Sequence, residues 1–212
     1  FLGDELNGIL EAIEKDASYD APEKVQMKIG VHVLPRFPKD TTDRNRTSAI
    51  AFTGNKFEFR SLGSSASVAT PNIMLNTAVA EALREFADVL EKSNCFTSTL
   101  HDLIRDTIRA HKRIIFNGNG YDENNIRELT EGRGLLNLRS TTDCLPYLLH
   151  EKNVRLFTTH GVYTESEMKS RYEILLENYC KVIHIEALTM LDMAKRDILP
   201  AVSAYVKDLC DT

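Results

Sequence analysis

Three charged side chains alternate along one short segment, Lys56, Glu58 and Arg60. In a β-strand, residues two apart point the same way at a spacing of about 6.6 to 7 Å, so all three would share one face. The dipeptide Gly54-Asn55 just before them suits a two-residue hairpin turn, with the glycine taking the positive φ at the first turn position. Such a turn sets Phe52 opposite Phe57 and Ile50 opposite Phe59 on one apolar side. The other side then sets the charges across from the small residues Ala49, Ala51 and Thr53. Two readings stay open from these residues. Alternating charges can form a solvated face with cross-strand ion pairs. A carboxylate between two cations, bordered by small residues, also suits a pocket that takes a divalent metal and an anionic substrate together.

The elements that must position this segment follow from hydrophobic spacing. Leu2, Leu6, Ile9, Leu10 and Ile13 recur at intervals of three and four, which predicts an amphipathic helix over 1–15. The stretch from Met27 to Val33 alternates strictly and reads as a strand, ended by Pro35 and Pro38. Thr70 reads as an N-cap with Pro71 at the first helical position, and Val79, Leu83, Phe86 and Leu90 give the buried stripe behind it. A helix over 98–113 uses Leu100, Ile104, Ile108 and Ile115 and ends before the turn Asn117-Gly118-Asn119-Gly120. That turn lacks the third glycine and the preceding strand of a dinucleotide fingerprint. A shorter helix is expected over 125–131. Thr164 and Glu167 spell a capping box opening the last helix, with Tyr172, Leu176, Tyr179, Ile183, Ala187, Met190 and Ala194 on one face. Its roughly 36 residues before Pro200 exceed most globular helices, so a bundle or an oligomer contact is expected to cover it. The fold class expected is α+β and predominantly helical, a small antiparallel sheet followed by a helical bundle.

Composition narrows the function classes. With 26 basic against 31 acidic residues and a net charge of −5, the chain offers no basic field for a nucleic-acid backbone and no polybasic segment for a membrane surface. No apolar run approaches the roughly 20 residues that cross a bilayer. Nothing at Phe1 resembles a secretory leader, so the expected location is the cytoplasm. Cys95, Cys144, Cys180 and Cys210 form no CxxC pair and read as buried or incidental thiols. The six histidines show no metal-ligand spacing.

The motifs as a set carry a resemblance. Asn45-Arg46-Thr47-Ser48-Ala49 resembles the Asn-Arg-Ser-Ala-Ser motif of glutamine synthetases, and Lys56-Phe57-Glu58-Phe59-Arg60 resembles their following Arg-Ile-Glu-Val-Arg strand. Phe1-Leu-Gly-Asp-Glu, Phe52-Thr-Gly-Asn-Lys-Phe-Glu-Phe-Arg60, Pro71-Asn-Ile-Met-Leu-Asn-Thr-Ala-Val-Ala-Glu81 and Arg113-Ile-Ile-Phe-Asn-Gly-Asn-Gly120 are together similar to the type III branch. Each motif alone is weak, but their order and spacing are specific.

The resemblance implies an ATP-dependent glutamate–ammonia ligase, in which phosphoryl transfer from ATP gives a γ-glutamyl phosphate that ammonia converts to glutamine. Such chemistry between anions needs Mg2+ or Mn2+ and several cations. By position, Glu58 is implied as a metal ligand and Arg60 as the holder of the glutamate substrate or its γ-phosphate. Arg46 is implied as a ligand of ATP phosphates, and Lys56 sits where the family has a nucleotide-side arginine, keeping charge but losing the bidentate fork. The family's second arginine falls at Ala51 here. Its remaining metal-ligating Glu and His residues, its glutamate flap and its ammonium-site acid would lie upstream of Phe1, and the natural chain is expected to continue beyond Thr212. The isolated chain is therefore expected to be inactive. Residues 1–94 are expected to be the C-terminal part of the catalytic domain and residues 95–212 a helical region. The alternative for that region is a module that assembles or regulates a homo-oligomeric ring.

Overall fold

In the computed structural model, the structure describes residues 1–19, 26–27, 37–38 and 47–211. Helix dominates the described residues beside small antiparallel pairings, so the fold is predominantly helical α+β as expected. The chain divides into two compact units, residues 1–137 and residues 138–212.

In the first unit, helix α1 spans Asp4–Lys15, with Asp4 and Glu5 in its first turn and Lys15 in its last, charges that complement the helix dipole. It ends where Asp16 turns left-handed at φ 54°, a conformation aspartate tolerates better than most side chains. The Ala17 N–H then donates to the Ala12 carbonyl at 2.9 Å. Two short pairings follow. Strand β1 (Gln26–Met27) pairs antiparallel with β2 (Phe37–Pro38), so Pro38 is a strand residue and not a terminator. The rest of the expected strand, residues 28–33, lies outside the described residues. Strand β3 (Ile50–Phe52) pairs antiparallel with β4 (Phe57–Phe59).

Helix α2 runs Ala69–Leu90 and starts earlier than expected. The Ser67 hydroxyl accepts the Ala69 N–H at 3.2 Å, so Thr70 and Pro71 fall inside the first turn and Thr70 caps nothing. The expected stripe is covered only at its C-terminal end. Phe86 and Leu90 are half-buried, whereas Val79 and Leu83 are exposed. Helix α3 (Phe96–His111) packs on both α1 and α2 and tightens into a 3-10 turn at Lys112–Ile114. Helix α4 (Glu123–Arg127), capped by the Asp122 carboxylate on the Asn124 and Asn125 N–H groups, widens into a π turn over Glu128–Gly132.

In the second unit, Ser140 caps α5 (Thr141–Cys144), which passes through a 3-10 turn at Leu145–Leu149 to α6 (Glu151–Thr159). Phe157 and Met168 are buried where α6 and the next helix meet, and Tyr163 tilts against Phe157 while Arg171 lies over its ring at 4.2 Å. Helix α7 (Glu165–Met193) opens with the expected capping box: Thr164 Oγ1 accepts the Glu167 N–H, and the Glu167 carboxylate accepts the Thr164 N–H at 2.8 Å. Pro200 does not end this helical run. A π turn at Ala194–Ile198 links α7 to α8 (Leu199–Cys210), with Pro200 in the first turn of α8. Proline lacks an N–H and its ring collides with the carbonyl four residues back, a conflict the widened turn relieves. All four cysteines are exposed rather than buried. No helix among the described residues is long and apolar enough to cross a membrane.

The capping box yields a prediction. Thr164→Ala removes the acceptor of the Glu167 N–H and should cost about 1 kcal/mol, measurable by chemical denaturation. Accepting the Thr164 N–H holds the Glu167 carboxyl below its ordinary pKa. A folded pKa below the unfolded one gives stability that is complete above the unfolded value and lost as pH falls through the folded one. The acid-side loss of helix, followed by circular dichroism, should therefore shrink in Glu167→Gln.

Candidate functional site

The β3–β4 hairpin has the expected register, Phe52 opposite Phe57, Ala51 opposite Glu58 and Ile50 opposite Phe59. The turn is closed by the Thr53 N–H donating to the Lys56 carbonyl at 2.9 Å, and Gly54 takes φ 91°. Asp16 is the only non-glycine with positive φ among the described residues, so Asn55 needs none, as in a type II′ turn. The ladder extends one step further through the Arg60 N–H to the Ala49 carbonyl at 2.8 Å. That extension aligns Arg60 with Glu58.

Burial reverses the simplest expectation for the two faces. The aromatic side is the open one: Phe57 is 64 % exposed, although its ring lies 5.2 Å from that of Phe52. On the charged side Ala51 is fully buried, and the Glu58 and Arg60 side chains are only 26 % and 32 % exposed. The guanidinium of Arg60 donates to the Glu58 carboxylate at 2.6 Å. Partial burial of both partners makes this a covered ion pair and not a fully solvated one. Lys56, next to the turn, is exposed. Arg46 lies outside the described residues, so of the residues singled out the structure brings together Glu58 and Arg60.

The backbone around the hairpin is held from outside. The Phe1 nitrogen donates to the Ile50 carbonyl at 2.9 Å, and the Phe52 N–H donates to the Phe1 carbonyl at 2.9 Å. This alternation is the parallel-ladder pattern, with Phe1 beside Ala51. The Asn117 side-chain oxygen in turn accepts the Leu2 and Gly3 N–H groups at 3.0 and 3.3 Å. The Gly120 N–H donates to Thr47 Oγ1 at 2.9 Å. Asn117, Gly120 and Thr47 were invisible as site residues in the sequence, where Asn117–Gly120 read only as a turn. The signal available was its place within a stretch resembling the type III branch.

A cleft of about 650 Å³ opens beside this turn, lined in part by Leu10, Glu14, Lys112, Arg113, Asn117 and Arg133. Its charges are largely spent on one another. Lys112 donates to Glu14, which lowers the carboxyl pKa and raises that of the amine, and Arg133 is paired with Glu128 at 2.7 Å. The cleft therefore reads as scaffolding for the Asn117 turn.

Among the described residues no three of His, Cys, Asp and Glu gather as a metal cage. Glu58 can supply one oxygen ligand once Arg60 releases it. One carboxylate is too few for a divalent ion, so these residues do not by themselves form a metal centre.

A covered carboxylate–guanidinium pair on a hairpin, carried by a helical scaffold, defines an α+β segment with a face suited to ionic ligands. Residues 99–212 match the family described as the glutamine synthetase C-terminal domain, and the chain belongs to that family. It is 44 % identical over 214 residues to a glutamine synthetase of Butyrivibrio fibrisolvens, covering 99 % of this chain and 30 % of that one. It is 42 % identical over 215 residues to the type-3 glutamine synthetase of Dictyostelium discoideum, covering 100 % of this chain and 29 % of that one. With a glutamine synthetase of Bacteroides fragilis the identity is 33 % over 218 residues, covering 100 % and 30 %. The resemblance to the type III branch is thus borne out. The chain spans about 30 % of the length of these curated relatives.

The buried position opposite Glu58 gives a direct test. Ala51→Leu forces extra methylenes into a filled site and should destabilise the protein by about 1–3 kcal/mol. A thermal unfolding midpoint equal to that of the parent protein would contradict the burial of Ala51.

Proposed function

We propose that residues 1–212 form part of an ATP-dependent glutamate–ammonia ligase, which makes glutamine through a γ-glutamyl phosphate, and that they supply one side of its active site. The observation that carries this reading is the half-buried Glu58–Arg60 pair on the covered face of the hairpin, within a chain of the glutamine synthetase family. In this reading Arg60 binds the carboxylate of glutamate or its γ-phosphate, because a guanidinium offers two parallel donors to either group. Arg46 and Lys56 serve the phosphates of ATP, and Glu58 contributes one ligand to Mg2+ or Mn2+. When bound, the metal neutralises charge on the transferring phosphoryl group. The remaining ligands come from the part of the enzyme that this chain does not include. Glutamate, ammonia and ATP are its partners, the cytoplasm is its location, and residues 1–94 and 95–212 divide catalysis from a helical region.

The hairpin charges are tested in the complete enzyme. Glu58→Ala and Arg60→Ala should each lower glutamine formation by about 100-fold or more, the scale on which removing one charge-stabilising group acts. Residues 1–212 alone should form no glutamine. Unchanged synthetase activity in either variant, or turnover by the isolated chain, would sink the assignment.

A second reading concerns α7 and α8. Beyond Tyr179 apolar side chains stand out on more than one side, with Ile185, Leu188, Met190, Met193, Leu199 and Tyr205 all more than half exposed. Large apolar side chains exposed on a helix between its charges mark a surface that a partner covers, so this region serves as an assembly surface of a homo-oligomeric ring. Ile185→Glu combined with Leu188→Glu should reduce the assembly mass seen by light scattering while leaving substrate KM values within about two-fold, since Kd changes of that size correspond to well under 1 kcal/mol. An assembly of unaltered mass counts against it.

A further inference from the structure

We infer that the turn Asn117–Gly120 positions the hairpin that bears Glu58 and Arg60, and that Asn117 and Gly120 are positioning residues for the proposed reaction. This inference rests on the reading of that hairpin as one side of the active site. Asn117 holds residues 1–3 by the two hydrogen bonds that its side-chain oxygen accepts from Leu2 and Gly3. Those two backbone donors dictate the amide's orientation, because an NH2 group in the same place would face donors only. Phe1, the next residue back, is bonded on both sides to β3, at the Ile50 carbonyl and the Phe52 N–H. Ala51 between them is the ladder partner of Glu58. A displacement at Asn117 therefore reaches Glu58 through hydrogen-bonded backbone alone.

Gly120 fixes the other end of the same strand. Its N–H donates to Thr47 Oγ1, and a Cβ at this position would lie 2.2 Å from the Thr47 carbonyl oxygen. That contact is to backbone, so any side chain must push the turn and the Thr47 segment apart. Thr47 directly follows Arg46 and precedes β3 by a few residues. The turn thus grips β3 from before its start and along its free edge.

A positioning device has to be stiff itself, and this one is braced. Arg133 donates to the Ile115 carbonyl at 2.7 Å and lies over the Phe116 ring at 5.6 Å. The Asn125 side chain donates to the Asn119 carbonyl at 3.0 Å, and the Tyr121 N–H donates to the Asn119 side-chain oxygen at 2.9 Å. A turn with no task beyond reversing the chain has no use for contacts to residues more than 70 positions away.

The test uses the complete enzyme with Asn117→Ala, Asn117→Asp, Gly120→Ala and, as reference, Glu58→Ala. Two readouts are taken: steady-state kcat and KM for glutamate, and hydrogen exchange of the amides of residues 47–60 without substrate. Loss of the one oxygen that accepts both hydrogen bonds should lower kcat/KM in Asn117→Ala roughly ten-fold and speed exchange at Ile50–Phe52. Asn117→Asp keeps an oxygen acceptor and should restore most of both, whereas Gly120→Ala should behave like Asn117→Ala. Lower thermal stability with unchanged kcat/KM and unchanged exchange in residues 47–60 would overturn the inference and leave the turn a fold element. If Glu58→Ala keeps full activity the site reading itself fails, and the exchange data alone then decide whether the turn holds the hairpin.

Discussion

Two strands of three residues joined by a two-residue turn cannot hold a fixed position in water by themselves. Everything proposed for Glu58 and Arg60 depends on that position, so the constraint that matters most is the external grip on β3. The grip comes from its free edge, where Phe1 completes a parallel bridge, and from the Asn117–Gly120 turn behind it. An unpaired strand edge is a liability that proteins cover, and here the cover also fixes the register of a charged face. Helices α1, α3 and α4 act mainly through this connection. Salt bridges such as Glu14–Lys112 hold α1 to the end of α3, and α1 starts right after Leu2 and Gly3, the two residues that Asn117 retains.

The two faces of the hairpin divide the work in an unusual way. A hairpin ordinarily turns its aromatic side toward the core and its charges toward water. Here Ala51 is fully buried on the charged side while Phe57 and Phe59 are exposed. Small side chains opposite the charges make this possible, because Ala49, Ala51 and Thr53 leave room for the long Glu58 and Arg60 chains to lie down against the protein. The aromatic residues left outside, like the apolar faces of α8, are surfaces that a longer polypeptide or an assembly has reason to cover.

How much of this was legible in the sequence depended on the range of the interaction responsible. The hairpin register followed from Gly54-Asn55 and strict alternation, and the start of α7 from Thr164 and Glu167, because both signals lie within a few residues of what they specify. Local signals failed where a rival was also local. The helix starts at Ala69, so the Asn72 N–H that Thr70 was expected to serve goes to the Val68 carbonyl instead, and a π turn let the helical run pass Pro200. The Asn117 bond to Leu2 joins residues 115 apart, and no periodicity announces such a partner. The same limit hid the inversion of the hairpin faces: alternation says which residues share a side, not which side is covered.

The partial burial of the Glu58–Arg60 pair also bears on the ligands proposed for it. Two ions buried fully and left unpaired would cost several kcal/mol each, and a fully buried pair would resist being opened. At 26 % and 32 % exposure the pair lies between those limits. Ion pairs with access to solvent contribute about 0–1 kcal/mol, so an incoming anion can take the guanidinium, or a cation the carboxylate, at little cost. The two exchanges favour each other: turning Arg60 to an anion takes one counter-charge away from Glu58, which strengthens its attraction for a cation. A pair held this loosely suits the proposed chemistry, in which a metal and an anionic substrate meet on one face.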